Sequence, residues 1–191
     1  MRDKLSQDRD FKQKQRAVQE SRKVKTMDVL QAIRTKHAVR KFSDQPVSDD
    51  VILKILDAGR RSQSSKNTQP WSFIVVRDRE RLAALSRAGT YASHLADAAF
   101  AVVLVGSQRG DWHSFDLGQA SSYLQLAAWE LGIGSCIATL HMEDEARAIL
   151  DIPADSGLFL ALSMGYPAAD WVKAKMGGRK ALEEIVHWEK W

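Results

Sequence analysis

A short cationic segment, residues 36–42, carries residue types suited to binding an anion. It reads Lys-His-Ala-Val-Arg-Lys-Phe. On an extended chain Lys36, Ala38 and Arg40 face the same side, with His37 beside them. Guanidinium groups bind phosphate oxygens bidentately, and ammonium groups add a point charge. We interpret this segment as a candidate anion cradle, and a solvated basic stretch is the alternative.

A second polar segment, residues 63–70, runs directly into an apolar strand. It reads Gln-Ser-Ser-Lys-Asn-Thr-Gln-Pro and is followed within a few residues by the apolar run 73–76. Pro70 disfavours a helix across this junction, and the apolar run is typical of a strand buried on both faces. The loop is therefore anchored, and its hydroxyl and amide groups can be presented to a fixed ligand.

Length and composition indicate one globular domain. The chain has 191 residues, of which 45% are hydrophobic, enough for one core. The longest apolar run, residues 98–105, is too short to span a bilayer, and the N-terminus lacks the apolar region of a secretory signal. The single cysteine, Cys136, excludes an intramolecular disulfide and favours a reducing, cytoplasmic location.

The basic character of the chain is concentrated at its N-terminus. Residues 1–26 contain nine Lys or Arg and four Asp or Glu, whereas residues 27–191 contain 19 and 20. We interpret residues 1–26 as a basic extension and residues 27–191 as the domain, with Met27 as a candidate translation start. The nearly neutral domain argues against a nucleic-acid partner, although the extension keeps that alternative open.

Hydrophobic periodicity predicts alternating helices and strands, which indicates a three-layer α/β or α+β domain. Residues 107–113 lack periodicity and are predicted to form a surface loop. The helix predicted at 114–131 is apolar almost all round, which is typical of a helix buried centrally or in a subunit interface. The other helices are predicted at 27–34, after Ser48, at 79–87 and at 142–149, and the strands at 72–77, 100–106, 135–139 and 157–165.

The sequence lacks the motifs of several common catalytic sites. It has no GxGxxG, no Walker A and no GxSxG motif, and its five histidines do not have metal-ligand spacing. Cys136 lies inside a predicted strand and is interpreted as a core residue rather than a catalytic thiol. If the protein is an enzyme, a bound cofactor is therefore expected to carry the chemistry.

Taken in order, these motifs resemble the FMN-dependent nitroreductase family over residues 27–188. The resemblance implies an α+β, three-layer α/β/α fold with a mixed, mainly antiparallel central sheet, assembled as an intertwined homodimer with FMN at the interface. The matching motifs are the cationic segment ending Arg-Lys-Phe, the Ser-Ser-x-Asn-x-Gln-Pro-Trp loop, Asp116-Leu117-Gly118-Gln119-Ala120, Leu131-Gly132-Ile133-Gly134-Ser135, Gly165-Tyr166-Pro167 and Arg179.

The resemblance also implies roles for individual residues toward FMN. The phosphate falls to Lys36, His37, Arg40 and Arg179. Ala38 departs from the pattern, which commonly has a serine there, so one hydrogen bond is lost or is replaced by Ser93 or His94. The remaining positions are Gln63, Ser64, Ser65 and Asn67, in a loop reaching FMN from the partner subunit, and Ile137, Ala138 and Thr139, at a strand end beneath the flavin ring where a backbone N–H supports N5.

The implied activity is a ping-pong reaction in which NADH or NADPH reduces FMN, which then reduces nitroaromatics, quinones or similar acceptors. No catalytic acid or base side chain and no metal are implied. Trp112 and His113 either line the acceptor pocket or belong to a surface loop. A relative with dehalogenating or flavin-fragmenting activity and a non-catalytic flavin-binding protein remain alternatives. The expected partners are a second subunit and a small acceptor, without nucleic acid or membrane.

Overall fold

The computed structural model describes residues 27–107, 110–174 and 178–191, without the side chains of residues 110–112. The basic extension, residues 1–26, and the side chain of Trp112 therefore lie outside the described residues. In the described part, no helix is long and apolar enough to cross a membrane.

Four strands form one sheet in the order β1-β2-β4-β3, and every neighbouring pair is antiparallel. A parallel bridge between Ala38 and Ser135 adds a short segment at the β3 edge. The mixed, mainly antiparallel sheet is therefore confirmed. The strands are β1 (Trp71–Val76), β2 (Phe100–Ser107), β3 (Gly134–Ala138) and β4 (Ser156–Gly165).

Two helical layers cover the two faces of this sheet. The helices are α1 (Val29–Thr35), α2 (Asp49–Arg60), α3 (Arg79–Arg87), α4 (Gly110–Glu130) and α5 (Glu143–Leu150). Val102 and Leu104 of β2 pack with α2 and α4 on one face. Ala101 and Val103 alternate with them and pack with α3 and α5 on the other. The alternation of side chains along a central strand thus builds both cores, and the three-layer α+β fold is confirmed.

The central helix α4 lies mainly in the core of its own chain. Leu117 and Leu124 are buried, and α4 packs closely on α2 because Gly59 leaves room for Leu124. A Cβ at Gly59 would lie 2.6 Å from Leu124 Cδ2. Phe115 and Tyr123 remain 62% and 40% exposed. The burial predicted for this helix is therefore intramolecular along the Leu117–Leu124 face, and other apolar groups stay uncovered.

The predicted surface loop at 107–113 is wrong over residues 110–113, because α4 begins at Gly110. Ser114 and Phe115 are exposed in the early part of the helix. Hydrophobic periodicity reports a buried face, so it gives little signal where successive residues such as these two are exposed. At the C-terminus, Leu182–Glu184 forms a 3₁₀ turn.

Candidate functional site

The cationic segment docks as an extended chain on the edge strand β3. The Val39 N–H donates to the Ser135 carbonyl oxygen at 3.0 Å. Val39 is completely buried, whereas Ala38 and Arg40 are exposed and Lys36 is half-buried. Gly134 permits this approach, because a Cβ there would lie 2.6 Å from the Val39 Cβ. The predicted alternation is therefore confirmed, with Lys36, Ala38 and Arg40 on the side opposite Val39.

Lys36 is held by a chain of polar groups on α4. Its Nζ donates to Gln125 Oε1 at 2.6 Å, and Gln125 Nε2 lies 3.3 Å from both the carbonyl oxygen and Oγ of Ser121. Gln125 and Ser121 are 5% and 3% exposed. Burial lowers the pKa of the Lys36 ammonium, because removal from water disfavours the charged form. The partly buried Lys36 ammonium is thus hydrogen-bonded to the uncharged side chain of Gln125.

His37 lies among further cations. Burial lowers the pKa of its imidazole, and Lys173, Lys36 and Arg179 lower that pKa further through repulsion of the protonated ring. The His37 ring also meets the edge of Trp129, with ring centroids 6.2 Å apart. The charges of Lys36 and Arg179 therefore both act on His37, as does that of Lys173, which the sequence motifs did not single out.

Arg40 faces a different set of groups from those around His37. Its charge lowers the pKa of His94, after the larger effect of burial, and it opposes the effect of burial on the pKa of the Cys136 thiol. His94 Nδ1 lies 2.8 Å from Ser163 Oγ, which donates to the Cys136 carbonyl oxygen. Cys136 is 4% exposed and burial raises the pKa of its thiol, which agrees with its interpretation as a core residue.

The end of β3 lies beside the cationic segment and is partly exposed to solvent. Ile137 is 48% exposed and Thr139 is also exposed, whereas Ala138 is buried and pairs with Ala161 of β4. These three residues follow Ser135, the bridge partner of Ala38. The predicted strand-end residues and the cationic segment are therefore adjacent in the structure.

Three side chains are candidates to replace the hydroxyl of the serine that the family pattern has at position 38. His94 Nδ1 is engaged by Ser163, while its buried Nε2 has no hydrogen-bond partner in the described part of the chain. Ser93 is exposed. Ser135 Oγ is buried, also without a partner among those residues, and its residue bridges directly to Ala38. Ser135 is thus a third candidate replacement, missed by reading the sequence motif position by position.

The polar loop at 63–70 adopts a strained conformation. Lys66, Asn67 and Gln69 have φ values of 51°, 56° and 48°, in the left-handed region that disfavours side chains with a Cβ. Ser64 Oγ accepts a hydrogen bond from the Gln69 N–H at 3.0 Å and closes the loop. Such strain persists only where surrounding contacts determine it. Gln63, Ser65 and Asn67 are exposed, so their polar groups remain accessible.

A buried carboxylate anchors this loop to α4. Asp116 is 3% exposed, and its Oδ2 accepts a hydrogen bond from the Ser65 N–H at 3.0 Å. His113 lies three residues earlier on the helix and pairs with Ser107 through a 2.9 Å contact. Asp116 and Gln125 are nine residues apart, or about 14 Å along a helix. Within one chain the loop and Lys36 therefore contact well-separated parts of α4.

Gln125 was missed among the candidate residues, although the sequence contains a signal for it. Ser121 and Gln125 are polar residues four apart on this helix, next to the apolar stripe that contains Leu117, Ala120 and Leu124. Residues spaced by four share a helix face, so this pair marks a polar strip across the apolar surface. Its partner Lys36 is 89 positions away in the sequence and could not be identified from that strip.

The arrangement favours an anionic ligand over a metal. The ion pairs between described residues do not include Lys36, His37, Arg40, Lys173 or Arg179. Within the same part of the chain, no group of three or more His, Cys, Asp or Glu side chains is placed to hold a metal ion. Cations without carboxylate partners beside an open strand end can bind phosphate and a flat polar ring.

Comparison with known proteins identifies the family of this chain. The Nitroreductase family model matches residues 33–89 and 84–166. A protein of Archaeoglobus fulgidus, named provisionally as an NADH dehydrogenase/NAD(P)H nitroreductase, is 35% identical over 86% of this chain and 99% of its own. A protein of the same provisional name from Methanothermobacter thermautotrophicus is 34% identical over 88% of this chain and 91% of its own.

A solved structure extends the likeness to the fold. The FMN-dependent nitroreductase of Clostridium difficile superposes with a TM-score of 0.76 at 29% identity, covering 84% of this chain and 98% of that one. The residues matched by the family model include the cationic and loop segments, all four strands and α4. The chain is an oxidoreductase of the nitroreductase family.

Proposed function

We propose that this chain binds FMN and catalyses ping-pong reduction of nitroaromatics, quinones or similar electron-poor acceptors by NADH or NADPH. The observation that carries the proposal is the docking of the cationic segment on the edge strand β3, with Lys36 held by the uncharged Gln125 and without an ion pair among the described residues. Family membership and the FMN-dependent structural relative support it.

The phosphate of FMN suits the cations around His37. Lys36 and Arg179 both disfavour protonation of His37, which means that their positive charges act on the same small region. A phosphate there would offset that repulsion and accept charge-assisted hydrogen bonds. In this proposal Lys36, His37 and Arg179 hold the phosphate. Arg40 lies on the exposed side of the segment that docks on β3.

The open end of β3 suits the flavin ring. When bound, FMN supplies hydride acceptance at N5 and electron transfer to the acceptor. Ile137, 48% exposed, offers an apolar surface to the ring, and the backbone near Thr139 is proposed to support N5. Ala38 faces the same side as Lys36 and Arg40, and its backbone is proposed to line the flavin site as well. No side chain is required as an acid or base, so the protein positions the ring and excludes water.

The loop at 63–69 is proposed to reach the FMN of a partner subunit in a homodimer. Its anchor on Asp116 lies about 14 Å along α4 from the residue that holds Lys36. Gln63, Ser64, Ser65 and Asn67 would then complete a site formed mainly by the other chain. The uncovered Phe115 and Tyr123 supply apolar surface for this dimer. His113, with Trp112, is proposed to line the acceptor pocket from the same helix.

The decisive experiment is identification of the bound flavin, followed by anaerobic addition of NADH and NADPH in separate titrations. We expect purified, yellow protein to release FMN rather than FAD, and its absorbance near the flavin maximum to bleach with at least one nicotinamide. Addition of a nitroaromatic or quinone should restore the absorbance. Bound FMN that neither nucleotide bleaches would indicate a flavin-binding protein without this activity, and protein unable to bind FMN would contradict the proposal.

A further inference from the structure

The partner of Lys36 is neutral, in contrast to those of the cations that form ion pairs in the described structure. Arg60 and Arg61 share Asp57, whereas Lys36 Nζ donates to the amide oxygen of Gln125 at 2.6 Å. Gln125 is 5% exposed, so this contact lies at the boundary of the core. An acidic side chain of nearly the same size would have formed an ion pair there.

The amide of Gln125 has its orientation determined by α4. Its Nε2 is 3.3 Å from both the Ser121 carbonyl oxygen and Ser121 Oγ, which act as acceptors for the amide N–H groups. The Oε1 is consequently left to accept from Lys36. Ser121 is 3% exposed, so water does not compete freely for these groups. The ammonium is therefore positioned by a contact that does not cancel its charge.

Because the Gln125 amide that holds Lys36 is uncharged, it leaves the positive charge of the lysine available to a ligand. The charges that act on nearby His37 are those of Lys36, Lys173 and Arg179, all of one sign. Burial already disfavours the charge of Lys36, so an anion that approaches it restores a favourable interaction lost to desolvation. A carboxylate at position 125 would attract the Lys36 ammonium permanently. An anionic ligand would then gain less electrostatic energy from binding beside Lys36.

We infer that Gln125 is a positioning residue that holds Lys36 toward the FMN phosphate while keeping the lysine charge uncompensated. This inference rests on the proposed FMN site. It adds that selection between FMN and its phosphate-free analogue riboflavin depends on the absence of charge at position 125. Gln125 itself does not touch the cofactor in this arrangement.

The test is Gln125→Glu, which retains an acceptor oxygen and adds one negative charge. We expect FMN to bind at least about 10-fold more weakly, the effect of losing one charge-assisted hydrogen bond. Riboflavin affinity should change by less than about 2-fold, because riboflavin has no phosphate. A general structural defect would weaken both ligands, so the FMN-to-riboflavin ratio separates the two explanations.

Two further variants identify the route of the effect. In a Lys36→Met background, Gln125→Glu should change FMN affinity by less than about 2-fold, because a buried carboxyl without a cation takes up a proton. Gln125→Met, which removes the tether without adding charge, should weaken FMN by less than Gln125→Glu does. Gln45→Glu adds the same charge at an exposed loop position and should leave the ratio unchanged.

Each result has a distinct meaning. If Gln125→Glu lowers FMN affinity equally in the presence and absence of Lys36, the carboxylate acts directly on the ligand and the inference is overturned. The same holds if Gln125→Met is the more damaging change. Wild-type protein that binds riboflavin as tightly as FMN would instead contradict the phosphate site of the proposed function, before any variant is compared.

Discussion

Two groups of cations in the described structure differ in what surrounds them. At the end of α2, the exposed Arg60 and Arg61 both pair with Asp57, and hydrogen bonds from these arginines lower the pKa of its carboxyl. Beside β3, the charges of Lys36 and Arg179 lower the pKa of His37, after the larger effect of burial. None of these three residues forms an ion pair with another described residue. The first region satisfies its charges internally, and the second leaves them for a ligand.

The difference shows why counting charges did not locate the site. An exposed ion pair contributes about 0–1 kcal/mol, because water screens it and long side chains lose freedom. Removing one of its members therefore changes little. Like charges held together raise the free energy of the unliganded protein instead, and a bound anion releases that cost. Substitution of the cations that lack ion-pair partners should accordingly weaken ligand binding more than substitution of the paired ones.

The largest expected effect comes from removing two unpaired cations together. The variant Lys36→Ala/Arg179→Ala should bind FMN on the order of 100-fold more weakly or worse, since each charge-assisted contact contributes about 1.5–3 kcal/mol. The matched double variant Arg60→Ala/Arg61→Ala removes the same net charge from the paired region and should stay within about 2-fold. Titration by flavin fluorescence measures both. Equal losses in the two variants would show that net charge, rather than placement, governs binding.

Sequence reasoning anticipated the segments of this site more fully than their contacts. Alternation in residues 36–40 correctly predicted an extended chain with Val39 on one side and Lys36 and Arg40 on the other, because an edge strand has one buried face. The hydrogen bond from Lys36 to Gln125 could not be predicted, because it joins positions 89 apart whose meeting depends on the packing of α4 against the sheet edge.

The strained loop illustrates a second limit. Pro70 and the apolar run after it correctly indicated an anchored loop before a strand. Left-handed backbone at Lys66 and Gln69 was not indicated, because Lys and Gln rarely adopt it, and Asn67 alone has a residue type enriched in that region. The contact of Asp116 with the Ser65 N–H supplies the missing tertiary constraint. Local propensity thus gave the element, and long-range packing gave its shape.

Carboxylates provide the next comparison, with an intermediate expected effect. Asp116→Ala should lower the free energy of unfolding by about 1.5–3 kcal/mol, because a hydrogen bond to a charged, buried group is lost and the Ser65 N–H is left without it. Asp57→Ala, at a half-exposed position where water screens both ion pairs, should cost less stability than Asp116→Ala. Urea unfolding curves measure both.

Asp116→Asn adds a control to this pair, because the amide oxygen can still accept from Ser65. We expect it to recover part of the stability lost in Asp116→Ala. If the loop serves FMN, flavin affinity should follow the same order as stability across the two Asp116 variants. An Asp57→Ala variant less stable than Asp116→Ala would reverse the distinction between buried and exposed carboxylates.

A smaller effect concerns pH and the two histidines beside the unpaired cations. Burial is the main cause that lowers the pKa of His94 below its ordinary 6.5, and Arg40 lowers it further. The unfolded chain therefore binds the proton more readily. Stability should be full above pH 6.5 and fall as the pH decreases below that value, by at most about 1.4 kcal/mol per pH unit for one group.

His94→Gln should make this acid-side decrease shallower, because glutamine does not titrate. His37→Gln should have a smaller influence on the slope, since His37 is only half-buried. Unfolding free energies measured between about pH 7 and about pH 5 test the order. A wild-type stability that is flat over this range, or a slope unaffected by His94→Gln, would show that the buried imidazole accepts a proton without cost in the folded state.

The smallest expected effect comes from deleting the region with the greatest excess of positive charge. Residues 1–26 hold nine Lys or Arg against four Asp or Glu, yet every residue proposed for the site lies at Lys36 or later. A chain that starts at Met27 should therefore bind FMN with affinity within about 2-fold of the full chain and retain its kcat with NADH or NADPH. Flavin titration, steady-state kinetics and thermal melts of the two chains provide the comparison. A truncated protein that keeps FMN but melts earlier would assign the extension to subunit contacts. Loss of FMN on truncation would instead show that charge outside the two compared regions contributes to the site, and the distinction between paired and unpaired cations would then be incomplete.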